Sequence, residues 1–342
     1  MTWFTWRQFR TQAWITVAAL AALGVVLVVT GRSIADLYAT TAAACRGDCA
    51  ASMRQFVLEA RTGTNGRVYN LTTAVMYAVP ALIGIFWGAP QFARELETGT
   101  HYLAWNQSVT RTRWLATKLA VIGAAAAATA GLLSWAVTWW AQHVDRAAGD
   151  RIVPLVYGAR GIVPVGYALF AFTLGVTVGM LIRRTVPAMV TTLVVYIVAV
   201  SRMPRPHLVP ANHITTPLDT NNLQLSISET GLVYVDVSND IEPRDAWVLF
   251  NQAVTPSGKV FSGHAYPQHC TDVDVCGNGS ARSAALRQEI NYHPGSHFWP
   301  LQWTEAGIFL AVAALLAGFC FWWTRRSTRL STSPSRIWSR SR

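Results

Sequence analysis

Three groups of side chains have types and spacings that bear on chemistry. Glu95 and Glu97 lie in the run Gln91-Phe-Ala-Arg-Glu-Leu-Glu-Thr-Gly-Thr100, where they form a small acidic knob suited to a basic partner surface. Cys45 with Cys49, and Cys270 with Cys276, form two close pairs, while Cys320 sits in an apolar run. Four cysteines allow three pairings; the local disulfides Cys45–Cys49 and Cys270–Cys276 are favoured, with a zinc site as the alternative for each pair. Six of the eight histidines (207, 213, 264, 269, 293 and 297) fall between residues 201 and 305, near Asp272 and Asp274. No pair of these histidines has a strong zinc-ligand spacing, so scattered surface histidines are expected rather than a metal site. The chain has no G-x-x-x-x-G-K-[ST] phosphate loop, no G-x-S-x-G elbow and no H-E-x-x-H helix. It therefore lacks the usual means of cradling ATP, and it is expected not to be an enzyme.

The elements that position these groups follow from hydropathy. Hydrophobic residues make up 52% of the 342 and charged residues 13%, while the formal charge is +11. Ordinary soluble domains carry roughly 25% charged residues. Six stretches are apolar enough to span a bilayer: Trp14–Thr30, Leu71–Trp87, Leu115–Trp140, Val165–Ile182, Val186–Val200 and Ala306–Trp323. Backbone groups in hydrocarbon must pair within the segment, so each run is expected to be a helix. With the N-terminus inside, the inner segments carry 13 basic residues, Lys118 at an inner helix mouth makes 14, and the only inner acids are Glu95 and Glu97. Net charge is then +12 inside and −1 outside, spread over 62 inner and 169 outer residues. That asymmetry is the positive-inside pattern, and it attributes the basic balance to topology rather than to nucleic acid. The first span is expected to act as an uncleaved anchor.

The fold class expected is an α-helical polytopic membrane protein. It has six transmembrane helices, cytoplasmic N- and C-termini, and a small mixed α/β ectodomain between spans five and six. The parts are a cytoplasmic interfacial helix at 1–13, spans one to five over 14–200, an extracellular domain at 201–305, a sixth span at 306–323 and a basic tail at 324–342. The ectodomain opens with prolines 204, 206, 210 and 217; Leu232–Val237 alternates like a strand, and Ala246–Val254 with Lys259–Phe261 reads as a hairpin around Pro256-Ser-Gly258. Gly123, Ala127 and Gly131, and Gly175 with Gly179, are small-residue patterns for close helix packing, expected within one subunit rather than across a dimer. Lys118 and Glu305 are placed at span mouths, which leaves the span interiors without ionisable groups. A chain of that kind lacks an ion-coupled energy source of its own.

The pattern R-E-x-E-x-G-T…V-T-R-x-R-W-x-x-x-K after the second span resembles ABC transporter permeases of the type-2 exporter class, most of all actinobacterial half-size permeases. Trp6-Arg-Gln8, the run Phe298-Trp-Pro-Leu-Gln-Trp-Thr-Glu-Ala-Gly307 and Gly318-Phe-Cys-Phe-Trp-Trp323 add to the likeness. The resemblance implies a subunit of the bacterial cell membrane that dimerises with a second permease copy and docks two cytosolic ABC ATPase subunits. This chain would bind no cofactor of its own, with ATP and Mg held by the partner. A coupling helix near 91–107 would meet the ATPase, with Arg94, Glu95, Glu97, Gly99 and Thr100 making or shaping that contact. By the same analogy, spans two and five would line the dimer interface and substrate pathway through Thr72, Thr73, Tyr77, Thr191, Thr192 and Tyr196. The bland reading of those threonines is hydrogen bonding to their own helix. The cargo would be hydrophobic or amphipathic and exported, with lipids as the surrounding partner. The alternative is a membrane-anchored sensor or assembly factor whose ectodomain binds a ligand and signals to a cytosolic partner.

Overall fold

The computed structural model describes residues 2–46, 49–97, 110–217, 223–227, 233–237, 245–259 and 287–330. In chain order the helices are α1 (Thr2–Ala44), α2 (Ala50–Ala60), α3 (Gly63–Leu82), a π-helical stretch (Ile83–Gly88) and α4 (Ala89–Glu97). They continue with α5 (Arg111–Ala148), the single turn α6 (Pro154–Tyr157), α7 (Val163–Ile182), α8 (Thr185–Ser201) and α9 (Phe298–Leu330). Among the described residues, five helical runs are long and apolar enough to cross a membrane: Arg10–Ala44, Gly63–Arg94, Thr112–Ala148, Val163–Ile182 and Gly295–Arg326. Thr185–Ser201 is apolar but shorter, at 17 residues.

Several helices outrun the apolar stretches that announce them. The 43 residues of α1 make a rod of about 65 Å at 1.5 Å per residue, about twice a hydrocarbon core. A separate helix over residues 1–13 does not form. With no Gly or Pro before Gly24, nothing interrupts the hydrogen-bond ladder between Thr2 and the first apolar run. At the far end α1 passes Gly31 and closes only at Ala44, just before Cys45. Hydropathy marks the part of a helix that prefers hydrocarbon, not where its ladder ends.

The chain divides into two compact units. The first comprises residues 1–147, 158–203 and 302–342 and is helical. At its centre is α7, apolar all round: 78% of its span is buried, against 6% for that of α1. Glycines let backbones meet there. A Cβ on Gly179 would lie 2.7 Å from the Ala89 carbonyl oxygen, and one on Gly88 would lie 2.6 Å from that of Phe172. Gly175 faces Gly84 and Gly88 just as closely. The small-residue pattern of α7 is therefore spent inside the subunit, against the π-helical stretch and α4. Pro80, which lacks an N–H, precedes that stretch, and Gly84 and Gly88, four residues apart, both face α7. Gly123 and Gly131 of α5 meet Phe172 and Val165 of α7 at ordinary contact distances.

The second unit comprises residues 148–157 and 204–301. It holds β1 (Asn212–Pro217), β2 (Leu223–Ile227), β3 (Val233–Val237), β4 (Ala246–Val254) and β5 (Arg287–Pro294). One antiparallel sheet has the order β1-β5-β4, with Ile214 and Asn251 both opposite Ile290. A second sheet pairs β2 with β3. The strand expected over Leu232–Val237 is β3. The hairpin expected around Pro256-Ser-Gly258 is seen only as a turn, closed by Gly258 N–H on the Thr255 carbonyl at 2.8 Å. Partnering of β4 falls to β5, more than thirty residues downstream, and residues 260 and 261 lie outside the described residues.

Candidate functional site

The acidic run is carried by α4, which continues the helical rod of α3. Its apolar side, through Phe92 and Ala93, is fully buried. Phe92 meets Trp114 of α5 edge to face at 5.3 Å, a pairing worth about 0.5–1.5 kcal/mol beyond area burial. Arg94 and Glu97 are exposed on the other side. Glu95 belongs to α4, but its side chain lies outside the described residues, as do Gly99 and Thr100 altogether.

Glu97 turns toward its own chain. Its Oε2 accepts from the Thr185 hydroxyl at 2.8 Å and from the Thr185 N–H at 3.1 Å, at the first turn of α8. The Thr185 hydroxyl and its backbone N–H hold the carboxyl below its ordinary value of 4.5; desolvation opposes them and the Arg184 charge adds a lesser lowering. α4 is also fastened elsewhere. The Gln91 carbonyl accepts from Lys118 Nζ at 3.4 Å, and Gln91 Nε2 donates to Gln12 Oε1 at 3.4 Å. The Lys118 ammonium lies 4.9 Å from the Trp114 ring centre and 5.4 Å from that of Phe92. Lys118 is thus buried among aromatic faces rather than open at a span mouth. Thr110 Oγ1 accepts from Arg113 N–H at 3.4 Å, which makes it the cap of α5.

Of the six residues assigned to a pathway, Thr72, Thr73, Thr192 and Tyr196 are buried, while Tyr77 and Thr191 are part-buried. Thr72 and Thr73 donate to the Tyr69 carbonyl, each at 2.9 Å, and Thr192 donates to that of Ala188 at 2.7 Å. Those hydroxyls are occupied within their own helices. Tyr196 differs: its hydroxyl donates to the Tyr77 carbonyl at 3.0 Å and ties α8 to α3. An apolar cavity of about 540 Å³ lies elsewhere, between α1, the α3 rod and α5. Ile15, Leu23, Val79, Phe86 and Leu133 line it, with Gln12 at one end.

Cys45 and Cys49 form a disulfide with Cα atoms 5.6 Å apart, while Cys270 and Cys276 lie outside the described residues. No cluster of three or more metal-ligating side chains occurs among the described residues. His293 is buried, its Nδ1 lies 3.3 Å from Nδ1 of His297 and its Nε2 3.1 Å from the Pro206 carbonyl.

Sequence reasoning missed the buried polar set. Arg160 Nε donates to Asp145 Oδ2 at 2.8 Å, and the Tyr69 hydroxyl donates to Asp145 Oδ1 at 2.8 Å. Glu305 is fully buried in α9, where Oε1 accepts from the Tyr167 hydroxyl at 2.5 Å. Gln302, one turn earlier, accepts through Oε1 from the N–H groups of Ile162 and Val163, at 2.9 and 3.0 Å. The expectation that Glu305 sits at an open mouth is corrected accordingly. One signal was present in the sequence: Gln302 and Glu305 share a helix face with Ala306 and Phe309, an apolar stripe that the bundle buries.

A sequence model of the family described as ABC-2 membrane transporter related matches residues 17–205, more than half of the chain. No curated protein and no solved structure matches the chain. The matched stretch runs from within α1 through α8 and includes α4 with its ties to Lys118 and Thr185. The chain belongs to the ABC-2 membrane transporter related family.

Proposed function

We propose that this chain is the membrane-spanning permease subunit of an ATP-driven exporter. It works as a dimer with a second permease copy and couples hydrolysis by two cytosolic ABC ATPase subunits to export of a hydrophobic or amphipathic substrate. The observation that carries the reading is the family match over residues 17–205. The missing phosphate loop agrees with it, because the energy source is then a separate chain. In this reading α8 is a sixth span, both termini are cytoplasmic in a bacterial cell membrane, and the second unit is extracellular. The coupling element near 91–107 includes α4, and Arg94 and Glu95 are assigned to the ATPase contact. ATP and Mg bind in the partner alone.

The apolar cavity beside α1 supports a cargo with alkyl or aromatic surface, since its lining offers few polar groups to a charged solute. Tyr77 and Tyr196 join the two spans assigned to the pathway. Co-purification with an ATPase encoded beside this chain tests the reading. The unsubstituted pair is expected to elute as one complex that hydrolyses ATP. Arg94→Glu with Glu95→Lys is expected to abolish that complex while the permease still folds. Full association by the charge-reversed chain would remove α4 from the docking surface.

A further inference from the structure

Glu97 is the last residue of α4, and its Oε2 holds both the hydroxyl and the N–H of Thr185. Thr185 opens α8 after a two-residue reversal at Arg183 and Arg184, where Arg183 adopts φ 57° and gives its N–H to the Gly179 carbonyl. Gly179 also lies against α4, where a Cβ would meet the Ala89 carbonyl oxygen at 2.7 Å. The start of α8 is therefore bound to α4 at Thr185 by a charged acceptor, and the end of α7 that leads into it packs on α4 at Ala89. A carboxylate on the first N–H of a helix satisfies a donor that has no partner within that helix, and it faces the positive end of the helix dipole. The contact joins residues 88 positions apart, and its acceptor stands on the element that the permease reading sends to the ATPase.

We infer that Glu97 is a positioning residue that hands movement of α4 to α8, and is not part of the ATPase-docking surface. The inference rests on the permease reading. When the ATPases push α4, the Thr185 end of α8 moves with it as one body, and Tyr196 carries the displacement to α3 at the Tyr77 carbonyl. Coupling between sites needs a physical element that both sites bias, and the α4–α8 junction supplies one.

The test uses the full chain with its neighbouring ATPase in lipid nanodiscs. Labelling of Val198→Cys, exposed near the far end of α8, by a membrane-impermeant maleimide is followed with and without ATP and vanadate. The unsubstituted junction is expected to change its labelling rate when ATP is trapped. In Glu97→Ala and in Thr185→Val the ATPase is expected to co-purify fully while that change is lost. Glu97→Gln keeps an acceptor oxygen and is expected to retain part of the response. Glu97→Cys with Thr185→Cys, bridged by a short bifunctional thiol reagent, is expected to regain it. Loss of the complex in Glu97→Ala makes Glu97 a docking residue and overturns the inference. So does an unaltered response in Glu97→Ala, or a bridged variant that stays silent. If the unsubstituted chain captures no ATPase, the permease reading itself falls, a result distinct from the other three.

Discussion

Asp145 and Arg160 form an ion pair taken almost wholly out of solvent, with Tyr69 on the second carboxylate oxygen. Removing one partner strands the other charge, so Asp145→Leu or Arg160→Met alone is expected to lower stability by about 3–5 kcal/mol, and the double variant by far less. Denaturant unfolding in detergent checks both halves; equal losses in single and double variants would show that packing, not charge, is what counts. The pair was not legible in the sequence, because the fourteen intervening residues say nothing of how the chain turns back between α5 and Arg160, just before α7. His293 behaves differently. Burial lowers its pKa from 6.5, the Pro206 carbonyl partly opposes this, and His297 adds to the lowering. The unfolded chain then binds the proton more readily, so the stabilising contribution is complete above about pH 6.5 and is lost as pH falls toward the folded value. Hydrogen exchange in the β5 segment of the full chain is expected to speed up between about pH 7.5 and about pH 5.5 beyond its intrinsic pH dependence. His293→Gln is expected to flatten that response. An unchanged slope in the variant would assign it to another group.

At the scale of elements, apolar runs announced where helices lie but not how far they extend. The first run was read as Trp14–Thr30, whereas α1 continues to Ala44 and begins at Thr2. Composition also left the partner of β4 open: a turn at Pro256–Gly258 suggests local pairing, and only the sheet order assigns β5. The acidic run was legible because two carboxylates stood among arginines. The use of Glu97 was not, since Thr185 is 88 positions away. The small-residue pattern of α7 marks contact within the subunit. Gly175 faces Gly84 and Gly88 so closely that any side chain must part the backbones of α7 and the π-helical stretch. Gly175→Val is therefore expected to cost about 1–3 kcal/mol or more and to lower the thermal midpoint in detergent. Gly24→Val, where nothing lies within 4 Å, is the control expected to leave it in place. Equal midpoints for the two variants would mean that the α7 crossing relaxes without loss.

For the whole molecule, the number of crossings turns on α8. At 17 residues it is about 26 Å long, slightly short of a typical hydrocarbon core of about 30 Å. Arginines 183 and 184 at one end and Arg202 at the other can reach past a thinned interface and extend its effective span. Parity makes the matter decisive. Six crossings put both termini on one side, and five put them on opposite sides. The charge balance of +12 against −1 holds only for six crossings with the termini inside, and positive loops stay in the cytoplasm. Reporters that fluoresce only in the cytosol are therefore expected to light at either terminus. A phosphatase active only outside is expected to work when inserted at the exposed Pro256–Gly258 turn, where no regular pairing is broken. A dark C-terminal fusion beside a bright N-terminal one would give five crossings. α4 and the tail after α9 would then face different compartments, and the positive charge could no longer be ascribed to topology.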